Sequence, residues 1–369
     1  MKRFTQIGDV SLDSGQILED VTLAYETFGT LNDERSNAVL VLHALTGDSR
    51  LTSADPRTPG WFEAIVGPGK VIDTDRFFVV APNVLGGCGG STGPTSLAPD
   101  GQPWGGRFPQ VTTRDQARAE IRLAEQLGIE RFCVVVGASM GGQRALEWAL
   151  LDPARVGSLV VIASGAVATA DQAAWIHTQL QALELDPNWH EGDYLRRGVA
   201  PTGGLGLARQ IAHTTYRSAA ELQTRFGARA QGSEEPLQGG RLQVQSYLDY
   251  HGQKLVRRFD AASYYRLSQT MLTHDVGRGR GGVRAALTSI TCPTLVVGID
   301  SDRLFLPADC VALAVTIPLG FYRELQSAFG HDGFLIEHEQ VANILGDFLS
   351  CVEQSPRCDA RPAALPTVR

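Results

Sequence analysis

The chain has 369 residues, 43% of them hydrophobic and 20% charged; this suffices for one large domain with insertions or two ordinary ones, and it excludes a disordered, collagenous or coiled-coil protein. With 33 Lys and Arg against 40 Asp and Glu the net charge is -7, and no long basic run is available to neutralise phosphates, which argues against a nucleic-acid partner. The stretch MKRFTQIGDVSLDSG has two basic residues but no apolar h-region, and no run of ~18 apolar residues occurs, so a cytoplasmic protein without signal peptide or membrane span is expected.

In chain order, strand-like runs fall at Asp20–Gly29, Ala38–His43, Arg76–Asn83, Arg131–Gly137, Gly157–Ala163 and Thr291–Ile299. Runs such as Cys133-Val-Val-Val and Leu159-Val-Val-Ile suit central strands of a parallel sheet covered on both faces. Between them, Ala117, Ile121, Ala124 and Leu127 recur at helical spacing over Asp115–Leu127. This alternation predicts a doubly wound α/β sheet. From about Ala163 to Arg280 the texture turns helical, so residues 164–280 are expected to form a lid inserted into a core of residues 1–163 and 281–353. A last helix is expected at Glu339–Val352, and the segment 354–369, with its three prolines, as a frayed tail. The six cysteines are scattered without a CxxC pair, which suggests reduced thiols rather than disulfides or a zinc site.

The sharpest chemical signal is Gly137-Ala-Ser139-Met-Gly141, a GxSxG placed after a strand and before the helix formers Gln143-Arg-Ala-Leu-Glu-Trp-Ala-Leu. That is the setting of a nucleophile elbow, whose tight turn requires small residues around the serine and presents its hydroxyl above the sheet edge. A serine hydroxyl needs a histidine base, and the histidine a carboxylate, arriving in the order Ser, Asp/Glu, His. Of the eight histidines, His331 and His338 lie beyond the last candidate strand. His331 occupies a loop before the final helix and is the expected base, whereas His338 begins that helix and is expected to face water. The strand Leu295-Val-Val-Gly-Ile ends on Asp300-Ser-Asp302, and Asp302, deeper in the loop, is favoured over Asp300 as the acid. An oxyanion hole takes one amide after the nucleophile, Met140, and one from a loop after an early strand, Leu45. His43 in that same loop reads as a structural hydrogen-bonding residue.

The chain resembles the homoserine O-acetyltransferases of the α/β-hydrolase superfamily. The resemblance rests on HALTGDS (His43–Ser49), GPGxxxDTDRFF (Gly67–Phe78), the glycine-rich Asn83–Pro94, GASMGG (Gly137–Gly142), SDRLF (Ser301–Phe305) and FGHDGF (Phe329–Phe334), and runs over nearly the whole chain. It implies an α/β-hydrolase fold, the triad Ser139, Asp302 and His331, and acetyl transfer from acetyl-CoA to L-homoserine in methionine biosynthesis. It also implies that Arg209 and Tyr216, within Arg209-Gln-Ile-Ala-His-Thr-Thr-Tyr216, serve the homoserine site and that Asp332 receives the substrate ammonium. A planar guanidinium suits the amino acid's carboxylate and a carboxylate suits its ammonium. No metal or redox cofactor is implied, acetyl-CoA enters as a co-substrate, and a homodimer through the lids is expected. The rival readings are a homoserine succinyltransferase or serine acyltransferase of the same family, a plain esterase with the same triad, and a non-enzymatic relative. Gly277-Arg-Gly-Arg-Gly-Gly282 satisfies GxGxxG literally, but a helix-like stretch precedes it where a dinucleotide site needs a strand. Arg278 and Arg280 are left with two readings, contact with the phosphates of coenzyme A or membership of a plain lid-return loop.

Overall fold

The computed structural model describes residues 1–53, 55 and 57–354. Their main sheet has eight strands: β1 (Arg3–Ser11), β2 (Ile17–Phe28), β3 (Ala38–Leu42), β6 (Phe78–Pro82), β7 (Phe132–Ala138), β8 (Leu159–Ile162), β9 (Thr294–Ile299) and β10 (Gly320–Leu325), while β4 (Val66–Gly67) and β5 (Ile72–Asp73) pair apart from it. The order across the sheet is β1-β2-β6-β3-β7-β8-β9-β10. β1 pairs antiparallel with β2 and β2 with β6, and every later pairing is parallel. This is the mostly parallel, doubly wound sheet expected from the alternation of runs, and it agrees with the α/β-hydrolase fold that the resemblance implies.

The apolar runs explain the central strands. Every residue of β3 is buried, and alternate side chains feed two opposite cores. Leu40, Val135 and Val161 pack with Ala145 and Leu146 of α2 (Met140–Leu151) and Ala117 of α1 (Thr113–Gln126), and with Leu313 of α10 (Pro307–Thr316) and Ala286 of α9 (Val283–Thr288). Val41, Val136 and Ile162 face the other way, towards Val341, Leu345 and Phe348 of α12 (His338–Gln354) and Phe334 of the short α11 (Gly333–Ile336). This division is the period-2 alternation of a strand buried on both faces.

Two long strands differ from the sequence reading. β1 was not expected, because its pattern RFTQIGDVS buries only Ile7 and Val10 on an edge with irregular register. β10, GFYREL, is buried fully only at Leu325. Such half-solvated edge strands carry little hydrophobic periodicity. The segment between β8 and β9 supplies the helices α3 (Ala170–Glu184), α4 (Tyr194–Arg197), α5 (Thr202–Tyr216), α6 (Ala219–Arg225), α7 (Gln243–Val256) and α8 (Ala261–Leu272). Their shared core of Leu180, Leu205, Tyr264 and Leu267 continues into Leu45, Met140 and Phe305 from the sheet loops, so these helices pack directly over the C-terminal ends of the strands. Apart from Gln354, the expected tail lies outside the described residues.

Candidate active site

Ser139 sits between β7 and α2 with φ 55° and ψ -122°, a left-handed backbone that a non-glycine residue holds only when its surroundings force it. The forcing contacts are visible on either side. A Cβ on Gly137 would lie 2.1 Å from the Gly141 carbonyl oxygen, and one on Gly141 would lie 2.0 Å from that of Leu42. The Ser139 amide donates to the Ile162 carbonyl at 2.9 Å and its carbonyl accepts from Ser164 Oγ at 2.8 Å. The turn is therefore clamped to β8 while its hydroxyl is left free for chemistry.

That hydroxyl lies 2.9 Å from His331 Nε2, and His331 Nδ1 lies 2.7 Å from Asp302 Oδ2. The other oxygen of Asp302 accepts from the amides of Leu304 at 2.8 Å and Phe305 at 3.0 Å, so the acid is fixed by its own loop. All three are buried, at 4%, 4% and 3% exposure in the order Ser139, His331, Asp302. The imidazole is enclosed by Phe305, stacked at 5.3 Å, Phe334 at 5.6 Å and Tyr216 at 5.8 Å. Burial disfavours a charged imidazole, but the Asp302 charge and hydrogen bond, aided by Asp332, outweigh it and raise the pKa of His331 above 6.5. The group therefore sits ready to accept a proton from Ser139 and to hold it as a cation. The neighbours fall where the sequence reading put them: Asp300 is exposed and accepts from the Ser327 amide at 2.9 Å, and His338 opens α12 exposed.

Leu45, in the loop after β3, and Met140, first residue of α2, are both buried. Among the described residues neither backbone amide has a hydrogen-bond acceptor, which leaves both available to a developing oxyanion. His43 Nε2 accepts from the Val84 amide at 3.1 Å while Nδ1 reaches the Ala44 carbonyl at 2.8 Å. Burial first, and then the Arg144 charge, lower its pKa to about 3. It is a neutral strut of the Leu45 loop.

Arg209, in the middle of α5, lies with its guanidinium 5.0 Å from the centre of the Tyr216 ring. Asp332, next to His331, is only 18% exposed and pairs through Oδ2 with Arg217 Nε at 3.3 Å. Burial raises the Asp332 pKa, opposed by Arg217, Arg209 and His331. Tyr216 and Asp332 thus flank the triad histidine from opposite sides of the lid boundary, with Arg209 against the Tyr216 ring and within electrostatic reach of Asp332. Arg217 was missed: a cation one position past a helix end reads as surface, and nothing local signals its distant partner. The arginines of the loop 277–282, left with two readings, meet partners within the chain. Arg280 Nη2 binds Glu147 Oε2 at 2.7 Å and Nη1 donates to the Val276 carbonyl at 2.9 Å, and Arg278 is bonded to the Thr273 carbonyl. Both arginines brace a lid-return loop, and their engagement speaks against the coenzyme A reading.

Beside Leu45 and Tyr216 a cavity of ≈ 20 Å³, lined also by Gln143, Gln179 and Ser268, lies under the lid. The roomier clefts, of ≈ 500 to ≈ 610 Å³, contain none of the triad residues. Among the described residues no group of three or more His, Cys, Asp or Glu side chains could hold a metal ion, and no helix is long and apolar enough to cross a membrane.

The profile of the α/β-hydrolase fold matches residues 37–337. A homoserine O-acetyltransferase of Thermobifida fusca (strain YX) is 53% identical over 355 residues, covering 95% of this chain and 94% of that protein, and one of Mycobacterium tuberculosis (strain ATCC 25177 / H37Ra) is 49% identical over 356 residues, covering 95% and 94%. Among solved structures, homoserine O-acetyltransferase from Bacillus anthracis superposes with TM-score 0.88 at 25% identity, covering 95% of this chain and 97% of that one. Esterase E22 superposes with TM-score 0.87 at 27% identity, covering 95% and 99%. The backbone alone therefore does not separate transfer from hydrolysis.

Proposed function

The chain belongs to the homoserine O-acetyltransferase family of the α/β-hydrolase fold, and from that premise we propose that it moves the acetyl group of acetyl-CoA to the hydroxyl of L-homoserine through an acyl-serine. Ser139 Oγ attacks the thioester carbonyl as His331 Nε2 takes its proton, and the amides of Leu45 and Met140 receive the oxyanion. The tetrahedral intermediate collapses, the coenzyme A sulfur takes the proton from His331, and coenzyme A leaves as the thiol, which returns His331 to its neutral form. Homoserine then binds with its carboxylate on Arg209, beside Tyr216, and its ammonium on Asp332. His331 removes the proton of the substrate hydroxyl, which attacks the acyl carbon, and returns it to Ser139 as O-acetylhomoserine departs. The reaction as proposed consumes acetyl-CoA as a co-substrate and uses no metal or redox cofactor.

The observation that carries this reading is the pairing of a buried Ser139–His331–Asp302 relay with an amino-acid-like set of charges, Asp332 beside the imidazole and Arg209 within electrostatic reach of Asp332. An esterase needs the first and has no use for the second. Identity of 49–53% with homoserine O-acetyltransferases over nearly the whole chain supports the acetyl donor and the homoserine acceptor over the succinyl and serine alternatives. We also propose a homodimer through the lids, which the exposed apolar side chains Leu185, Leu207 and Tyr250 would suit, and a cytoplasmic location in keeping with an acyl-CoA donor and a role in methionine synthesis. Steady-state rates with acetyl-CoA and succinyl-CoA against homoserine, serine and water test the reading. It expects the acetyl-CoA and homoserine pair to dominate, and water or serine as the preferred acceptor would reject it. Light scattering at micromolar concentration tests the dimer, which a monomer mass would exclude.

A further inference from the structure

Arg217 is a largely buried cation beside the triad whose hydrogen-bonding capacity is only partly used. Its side chain is 11% exposed, its Nη1 is buried without a hydrogen-bond partner, and its guanidinium lies 5.3 Å from the centre of the Phe329 ring. The ring face and Asp332 are its charge compensation, and Asp332 Oδ2 is 3.3 Å from its Nε. The same Nε donates to Tyr247 Oη at 3.2 Å, and Tyr247 Oη lies 2.7 Å from His213 Nε2. The tyrosine hydroxyl therefore bridges Arg217 and His213, and burial keeps His213 neutral, its pKa lowered to about 2. His213 in turn stacks on His251 at 3.9 Å. The chain of contacts runs from α7 of the lid, through α5, to the residue following the triad histidine.

We propose that Arg217 is a positioning residue for the acceptor half-reaction: it holds one oxygen of Asp332 so that the other remains aimed at the ammonium of the incoming amino acid, with Tyr247 and His213 fixing Arg217 from the lid. This rests on the acceptor assignment made above. The ligand chemistry follows from charge. A buried carboxylate without a cation would rather be protonated, and a protonated carboxyl no longer attracts an ammonium. The groups that face Asp332 are Arg217, Arg209, His331 and Asp302, with the neutral phenols Tyr216 and Tyr247 beside them. Removal of Arg217 leaves burial and Asp302 opposed only by Arg209 and His331.

The test is to measure KM for homoserine, kcat and the pre-steady-state release of coenzyme A from acetyl-CoA alone, between pH 6 and 9, in wild type, Arg217→Leu, Arg217→Lys and Tyr247→Phe. Loss of the ion pair is expected to raise the homoserine KM in Arg217→Leu by ~10-fold or more, the rate expected from one charge-assisted contact, with the defect growing as pH falls. The coenzyme A burst keeps its wild-type amplitude and rate, Arg217→Lys recovers part of the KM, and Tyr247→Phe shows the same defect in milder form. An unchanged KM in Arg217→Leu, or a burst that falls in step with it, would overturn the proposal by showing no role or a merely structural one. If Arg217→Leu does not fold, Tyr247→Phe with a wild-type KM overturns it equally. A wild type whose turnover ignores homoserine would instead refute the acceptor reading on which the proposal stands.

Discussion

With Ser139 removed, His331 Nε2 loses the one hydroxyl it faces at 2.9 Å, so Ser139→Ala should abolish the acyl-enzyme and lower turnover by ~10^4-fold or more, as when any member of a triad acting as a unit is lost. His331→Ala should be comparably damaging and the exposed His338→Ala nearly silent. Asp302 binds the imidazole directly whereas Asp300 binds only the Ser327 amide, so Asp302→Asn should cost orders of magnitude by presenting the wrong tautomer and Asp300→Asn should mainly disturb the loop. Parallel kinetics of the five variants check the assignment, and a crippled Asp300→Asn with intact folding would exchange the two acids. The pH profile carries its own sign. His331 works as a base only when neutral, and its pKa is raised above 6.5 by Asp302 against the effect of burial. The acid limb of kcat/KM for acetyl-CoA should therefore lie above pH 6.5, and a limb well below it would show that another group titrates.

The elements that carry these residues are joined by polar contacts as well as by apolar packing. Arg144 of α2, fully buried, pairs with Glu120 of α1, which also accepts from Trp148 Nε1 at 2.9 Å, and donates to the His43 carbonyl at 2.6 Å. This cross-link ties the loop bearing Leu45 to the helix bearing Met140. Removing one partner of such a pair leaves a buried charge, so Glu120→Leu should destabilise by ~3–5 kcal/mol, read as a lowered denaturation midpoint; a midpoint within experimental error of wild type would remove the pair from the list of structural links. The loop bearing His331 meets the lid as closely. Gly330 has φ +64°, and a Cβ there would lie 2.8 Å from both the Tyr216 carbonyl oxygen and the Ser218 amide nitrogen. Gly330→Ala is therefore expected to push the lid end away from His331 and to weaken homoserine use more than melting temperature, which paired kinetic and calorimetric measurements would check. The sequence made the central strands and the long helices legible because burial on both faces writes continuous apolar runs. It hid β1 and β10, where half of each strand faces water.

Across the whole molecule, the triad could be read from the chain because each member carries a local signature: the elbow around Ser139, the loop of Asp302 at the end of β9, and the loop of His331 ahead of the final helix. The contacts Arg217–Asp332 and Arg280–Glu147 could not, since each joins segments far apart in sequence and an isolated arginine gives no hint of its partner. Ser139 and His331 are both buried where the lid packs over the strand ends, an arrangement that would favour transfer by keeping water from the acyl-serine. Arg209, reaching the site from the lid, should matter to the acceptor alone. Arg209→Leu is expected to release coenzyme A from acetyl-CoA as wild type does, and then to turn over with homoserine at least ~10-fold more weakly, having lost a charge-assisted contact of ~1.5–3 kcal/mol. The measurement that bears most directly on transfer through an acyl-serine is stopped-flow mixing of the wild type with acetyl-CoA alone, followed by homoserine, with mass spectrometry of the protein between the two. One equivalent of coenzyme A per chain, a stable acetyl group on Ser139 and its rapid discharge by homoserine are expected. Absence of the burst and of the acetyl adduct, or discharge by water as fast as by homoserine, would contradict it.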